Sequence, residues 1–109
     1  MSYRDSINVV EGDYGYDLEF KVYDIEDNAV DLTGATVRIK IYEPGASSSK
    51  ISSIAEVTSA TEGECKYTVE EGDFDEAGKV YHVELELDYG NKIVTAKGVT
   101  ITVVPQAPQ

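Results

Sequence analysis

AGKVYHVELELDYG, residues 77–90, alternates without a break: Tyr81, Val83, Leu85, Leu87 and Tyr89 are apolar, and His82, Glu84, Glu86 and Asp88 between them are polar. A period of two describes a strand with one face buried and the other wet. Wound into a helix, the same residues would scatter apolar groups around the circumference and leave no single face to bury. Gly78 before this segment and Gly90-Asn91 after it mark turns. The remaining segments are read as partners that cover the strand's apolar side.

Upstream, Ile7 and Val9 alternate with Ser6 and Asn8 in a short first strand, expected at a sheet edge, that stops at Glu11-Gly12-Asp13. From Tyr16 to Tyr23 the alternation is clean, with Tyr16, Leu18, Phe20 and Val22 on one face and Asp17, Glu19 and Lys21 on the other. DIEDNAVD, residues 24–31, is a charged loop. Asp31-Leu-Thr-Gly34 suits a type I turn whose Asp carboxylate bonds back to the turn's amides, leaving Leu32 to plug the core.

Ala35 to Glu43 is a third strand, with Val37, Ile39 and Ile41 inward and Arg38, Lys40 and Tyr42 outward, stopped by Pro44-Gly45. The Ser-rich segment after it reads as a mobile loop, and Ile51 to Ser59 shows no consistent period, as in short or poorly paired structure. Thr61-Glu62-Gly63 turns the chain into a strand from Glu64 to Glu70 with Cys65, Tyr67 and Val69 on one face. Phe74 is the one large apolar residue of the loop that follows, placed to cap the core.

Downstream, the last strand runs from Ile93 to Val104, but its inward positions change from Val94 and Ala96 to Val99, Ile101 and Val103. A bulge near Lys97-Gly98 would absorb the extra residue. The pattern predicts an all-β, antiparallel, two-sheet immunoglobulin-like sandwich of about seven strands over residues 1–104, with residues 105–109 as a Pro-containing tail or linker. In that arrangement the third strand neighbours the organising strand, so Arg38 and Lys40 oppose Glu84 and Glu86. Tyr81 falls where sandwich folds carry a tyrosine whose hydroxyl ties a strand corner. The chain has no Trp and one Cys, which excludes an antibody-type domain.

The 109 residues suffice for one core burying roughly 65% of the unfolded surface. Cys65, unable to form an intrachain bridge, reads as a small buried hydrophobe. Neither a leader-like apolar run at the start nor a membrane-length apolar segment is present in these residues, so a soluble cytosolic chain is expected. A net charge of −12 opposes binding to phosphate backbones and anionic membranes.

A nucleophilic triad needs a base, and the only His is His82, outward on a strand beside Glu84, while the serines cluster at Ser47 to Ser53. The acidic residues that could serve as paired carboxylates are spread over loops and outer faces. Asp24, Glu26 and Asn28 alternate as oxygen ligands do, and Asp73 and Asp75 lie in a second loop, but Ala29 and Ala35 stand where a helix-loop-helix calcium site needs Gly and a carboxylate. Tyr23 and Tyr42 point outward and Tyr3 and Tyr14 are uncommitted, which supplies material for a sugar platform. No catalytic, cofactor-binding or metal-ligating residue is nominated.

AVDLTGATVRIKIYEP (29–44), DFDEAGKVYHVELELDYGNK (73–92) and the closing GVTITVV (98–104) resemble the N-terminal domain of the phage baseplate upper proteins, the BppU family. The shared elements are a V-D-L-T-G-A turn into an alternating strand, A-G-x-x-Y leading into a long strand, and a last strand ending in a valine pair, over roughly residues 5 to 104. The resemblance implies a structural module that docks onto other phage tail or baseplate proteins, carries no catalytic residues, and belongs to a virion assembled in bacterial cytoplasm. Homo-oligomerisation stays open, and neither nucleic acid nor membrane is an expected partner. The alternative, of a different class, is a carbohydrate-binding or adhesive module of a phage or bacterial surface protein.

Overall fold

A computed structural model describes residues 2–107 of the chain, with side chains from Ser6 onward. Eight strands form among these residues: β1 (Ser2–Val10), β2 (Asp17–Lys21), β3 (Thr36–Tyr42), β4 (Ile51–Ile54), β5 (Glu56–Ser59), β6 (Glu64–Thr68), β7 (Val80–Asp88) and β8 (Ile93–Val104). They make two sheets, one ordered β1-β8-β7-β3-β4 and the other β2-β6-β5. The alternation read in residues 77–90 becomes β7, central in the larger sheet, with Tyr81, Val83, Leu85 and Leu87 buried. Buried residues of both sheets, among them Leu85, Ile39, Ile101, Phe20, Cys65 and Tyr67, form one core. Burying a side chain the size of Leu85 contributes about 2 to 3 kcal/mol.

Two expectations are corrected. The sheets are not wholly antiparallel, because β1 runs parallel to β8, with Ile7 beside Ile101 and Val9 beside Val103. A parallel neighbour needs a long connection, and almost the whole chain supplies it. The strand count is eight rather than about seven, because residues 51–59 split between the sheets. β4 pairs with β3, placing Ile51 beside Ile41, and β5 pairs with β6, placing Val57 beside Cys65. Ala55 lies between them, buried, its amide bonded to the Val37 carbonyl at 2.8 Å. A segment that changes sheets turns a different edge to the core on each side of the crossing, so no single period can run through it.

The turns follow local chemistry. Asp31 accepts hydrogen bonds from the Thr33 amide at 2.9 Å and the Thr33 hydroxyl at 2.6 Å. The backbone turn itself sits one residue later than expected, closed by the Ala35 amide on the Leu32 carbonyl at 2.9 Å, with Gly34 at φ +78° in its third position. That is the glycine requirement of type II rather than type I. Leu32 is buried, as its place at the core's end predicts. β7 and β8 are joined by Gly90-Asn91, closed by the Tyr89 amide on the Lys92 carbonyl, and Gly90 takes the positive φ that a type II′ hairpin places first.

Gly98 is the extra residue of a bulge: Val83 pairs with Val99, but Glu84 pairs with Lys97. The strand therefore keeps Ala96 and Val99 both buried despite their odd spacing.

Pairing also fixes the two ends of the body. Residues 22–35, 60–63 and 89–92 gather at one end, where the Leu32 amide bonds the Ala60 carbonyl and the Tyr89 hydroxyl donates to the Asp31 carbonyl at 2.8 Å. Residues 11–16, 43–50, 69–79 and 105–107 gather at the other. There the Gly12 amide bonds the Phe74 carbonyl, Lys79 pairs with Glu43 at 2.8 Å, and Gln106 bonds Glu11 through its amide and its side chain.

Candidate functional site

The outer face of the five-stranded sheet divides into two halves of different chemistry. Register places Lys97, Glu84, Lys40 and Ser52 in one row across the sheet and Thr95, Glu86, Arg38 and Ile54 in the next. Lys40 Nζ lies 3.0 Å from Glu86 and 4.0 Å from Glu84, and Lys97 lies 3.4 Å from Glu84, so this half is an ion-pair ladder. The charge match expected between β3 and β7 is met by Lys40; Arg38 has no ion pair among the described residues.

Toward the other end the described side chains of the same face include no Asp, Glu, Lys or Arg. Ser6, Thr100, His82 and Tyr42 form one row, Asn8, Thr102 and Val80 the next, and Val10 beside Val104 the last. Ser6, Asn8 and Val80 are exposed and the rest half-buried. His82 and Tyr42 stack, with ring centroids 5.8 Å apart.

The residues weighed for chemistry fall apart in space. His82 lies among hydroxyl and apolar side chains in the uncharged half, stacked on Tyr42, while Ser47, Ser48, Ser49, Ser52 and Ser53 are in or near the loop before β4. Asp24, Glu26 and Asn28 sit at one end of the body and Asp73 and Asp75 at the other, by the antiparallel pairing of Lys21 with Glu64 and Asp17 with Thr68. Each set has a structural use. Asp24 Oδ1 accepts the Glu26 and Asn28 amides at 2.9 and 3.0 Å, and Asp73 Oδ2 accepts the Tyr67 hydroxyl and the Glu70 amide. Among the described residues no three His, Cys, Asp or Glu side chains gather as a metal would require.

The tyrosines also separate. Tyr42 lies on the five-stranded sheet, Tyr23 follows β2 of the other with Lys21 over its ring, and Tyr14 is exposed in a loop. The side chain of Tyr3 lies outside the described residues. Tyr81 is buried as expected of a corner tyrosine, but its hydroxyl makes no hydrogen bond among the described residues; the hydroxyls that tie loops down are those of Tyr67 and Tyr89. Beside Tyr81 a shallow polar groove of about 260 Å³ opens between Glu43, Lys50, Glu76 and Lys79.

Burial governs the shifted groups inside the body. Cys65 is pushed up to about 11 by desolvation, so it is a neutral thiol at pH 7. Burial, the Asp73 hydrogen bond and nearby carboxylates push the Tyr67 phenol upward. Outside, Asp17 is held below the usual carboxylate value by hydrogen bonds from Thr68 and Lys66, and Asp31 by those from Thr33.

Two all-β layers enclose one apolar core, and polar side chains at the turns and on the outer face make hydrogen bonds and ion pairs. The model of the BppU N-terminal domain, the first domain of phage baseplate upper proteins, matches residues 2–108, and the chain belongs to this family of phage baseplate structural proteins. No curated protein matches the chain.

What the sequence did not bring out is the uncharged half-face. Its signal was present in the outward positions of β1 and β8, which read Ser6, Asn8, Val10, Thr100, Thr102 and Val104. Only register with β7 and β3 shows that they form one continuous surface.

Proposed function

We propose that the chain is a non-enzymatic assembly module of a phage baseplate: an immunoglobulin-like domain over residues 1–104, followed by a Pro-containing tail, that docks onto other virion proteins during assembly in the bacterial cytoplasm. The observation that carries this reading is membership of the baseplate family over residues 2–108. The strand order supports the immunoglobulin-like description, because β3, β7 and β8 lie side by side in one sheet and β2, β6 and β5 in the other. Docking works here through shape and charge complementarity on a preformed body, without rearrangement of the core. Electron microscopy of purified virions labelled with an antibody against the chain tests the reading: label is expected at the distal end of the tail. Virions that lack the protein overturn it.

A further inference from the structure

We infer that the docking surface is the uncharged half of the outer face together with the open edge of β1, and that its occupant is a neutral β-edge of another tail protein, flanked by Lys or Arg. The inference deepens the assembly reading above and rests on it. Two independent observations meet at this corner of the molecule.

The first is chemical. On a chain with net charge −12, nine neighbouring side chains on three strands and the adjoining end of β3 carry no charge. Val10, Val80 and Val104 offer apolar contact, Ser6, Asn8, Thr100 and Thr102 offer short hydrogen-bonding groups, and Tyr42 stacked on His82 offers a flat, rigid aromatic patch. Such a mixture suits the desolvated centre of an interface, where unpaired charge is costly. Glu11 lies at the far end of the surface with no ion pair among the described residues, on a chain of net charge −12, whereas Glu84 and Glu43 on its borders are already paired with Lys97 and Lys79. Carboxylates at the margin of a neutral centre are complemented by cations at the margin of the partner, and a neutral centre is complemented by a neutral one.

The second is backbone. Four strands lie at sheet edges, and three are poor templates. β4 and β5 have four residues each, β5 is irregular between Val57 and Ser59, and β2 has five residues with Asp17, Glu19 and Lys21 outward. Short, charged or irregular edges resist pairing with another chain. β1 pairs only with β8 among the described residues; its first part contains Arg4 and Asp5 and shifts register between Ser2 and Asp5, but the five residues from Ser6 to Val10 pair regularly and contain neither charge nor Pro. Its free edge adjoins the uncharged rows, so an added strand would extend the same surface.

The test mixes the purified chain with each purified tail structural protein of the same phage, at about 50 and about 300 mM salt, for the wild type, Thr102→Glu and Thr58→Glu. Both substitutions are outward, and matching unfolding midpoints establish that the variants are folded. One tail protein is expected to bind, more weakly at higher salt, with Thr102→Glu reducing affinity by about tenfold or more and Thr58→Glu, on the other sheet, leaving it unchanged. Amides of residues 6–10 are expected to gain exchange protection in the complex. Wild-type affinity for Thr102→Glu, or unchanged exchange at residues 6–10, overturns this surface and leaves the assembly reading standing. Binding indifferent to salt, or a dimer of the chain sealing the face in sedimentation, overturns the assigned occupant. If no tail protein binds, both readings fall.

Discussion

A Cβ on Gly63 would stand 2.7 Å from the Val22 carbonyl oxygen and 2.8 Å from that of Val30, at a φ of +70°. Neither backbone group can retreat easily, because the Val30 amide already bonds the Val22 carbonyl at 2.9 Å and the Gly63 carbonyl accepts the Val22 amide. Gly63→Ala is expected to destabilise by more than about 1 kcal/mol, measured as a lower denaturant midpoint at unchanged slope. Tyr89→Phe removes the hydroxyl that holds the Asp31 carbonyl, with an expected loss of about 0.5 to 1.5 kcal/mol by the same measurement.

Titration acts at both extremes of pH. In the unfolded chain Cys65 ionises near its ordinary 9, but in the folded chain only near 11. Its contribution is therefore complete below pH 9 and is lost as pH rises toward 11, and Tyr67, also raised, extends the loss. Cys65→Ala should flatten this alkaline limb in unfolding curves taken from pH 8 to 11. Asp17 and Asp31 are lowered in the fold, so their contributions are present above the ordinary 3.8 and disappear as pH falls below it.

At the scale of elements, Gly98 makes a sharp comparison. Removing it would leave Ala96 inward, Lys97 outward and Val99 inward, a regular alternation with the present partners Leu85, Glu84 and Val83. Removing Thr100 instead would turn Ile101 and Val103 out of the core. Deletion of Gly98 is expected to keep cooperative unfolding, and deletion of Thr100 to abolish it, as followed by circular dichroism during thermal denaturation. The bulge itself was legible in the sequence because a shift in inward parity coincides with a glycine. So were β2, β3, β6 and β7, in which one buried face imposes a strict period of two. The crossing at Ala55 was not, since each of its strands is too short to establish a period. The parallel pairing of β1 also escaped, because alternation reports which face is buried and nothing about strand direction. The absence of a nominated catalytic or metal residue left the docking face as the candidate site, and that face depends on neighbours distant in sequence, which no local pattern displays.

For the whole molecule, the two sheets share one core, so neither can open alone without exposing Leu85, Ile39 and Phe20. Chemical denaturation is therefore expected to give one transition by tyrosine fluorescence and by circular dichroism, and two separated transitions would refute a single core. Leu85→Ala should lower this transition by about 2 to 5 kcal/mol, whereas Ile54→Ala, at an exposed edge position, should change it by less than about 0.5 kcal/mol.

The pairing of Ile7 with Ile101 has a further consequence during synthesis. Within this domain β1 leaves the ribosome before the other described strands and has no partner until β8 has been translated, and closing so large a loop is slow. Throughout that interval the uncharged stretch from Ser6 to Val10 is free on the nascent chain, so the yield of native protein depends on how quickly β8 arrives to claim it.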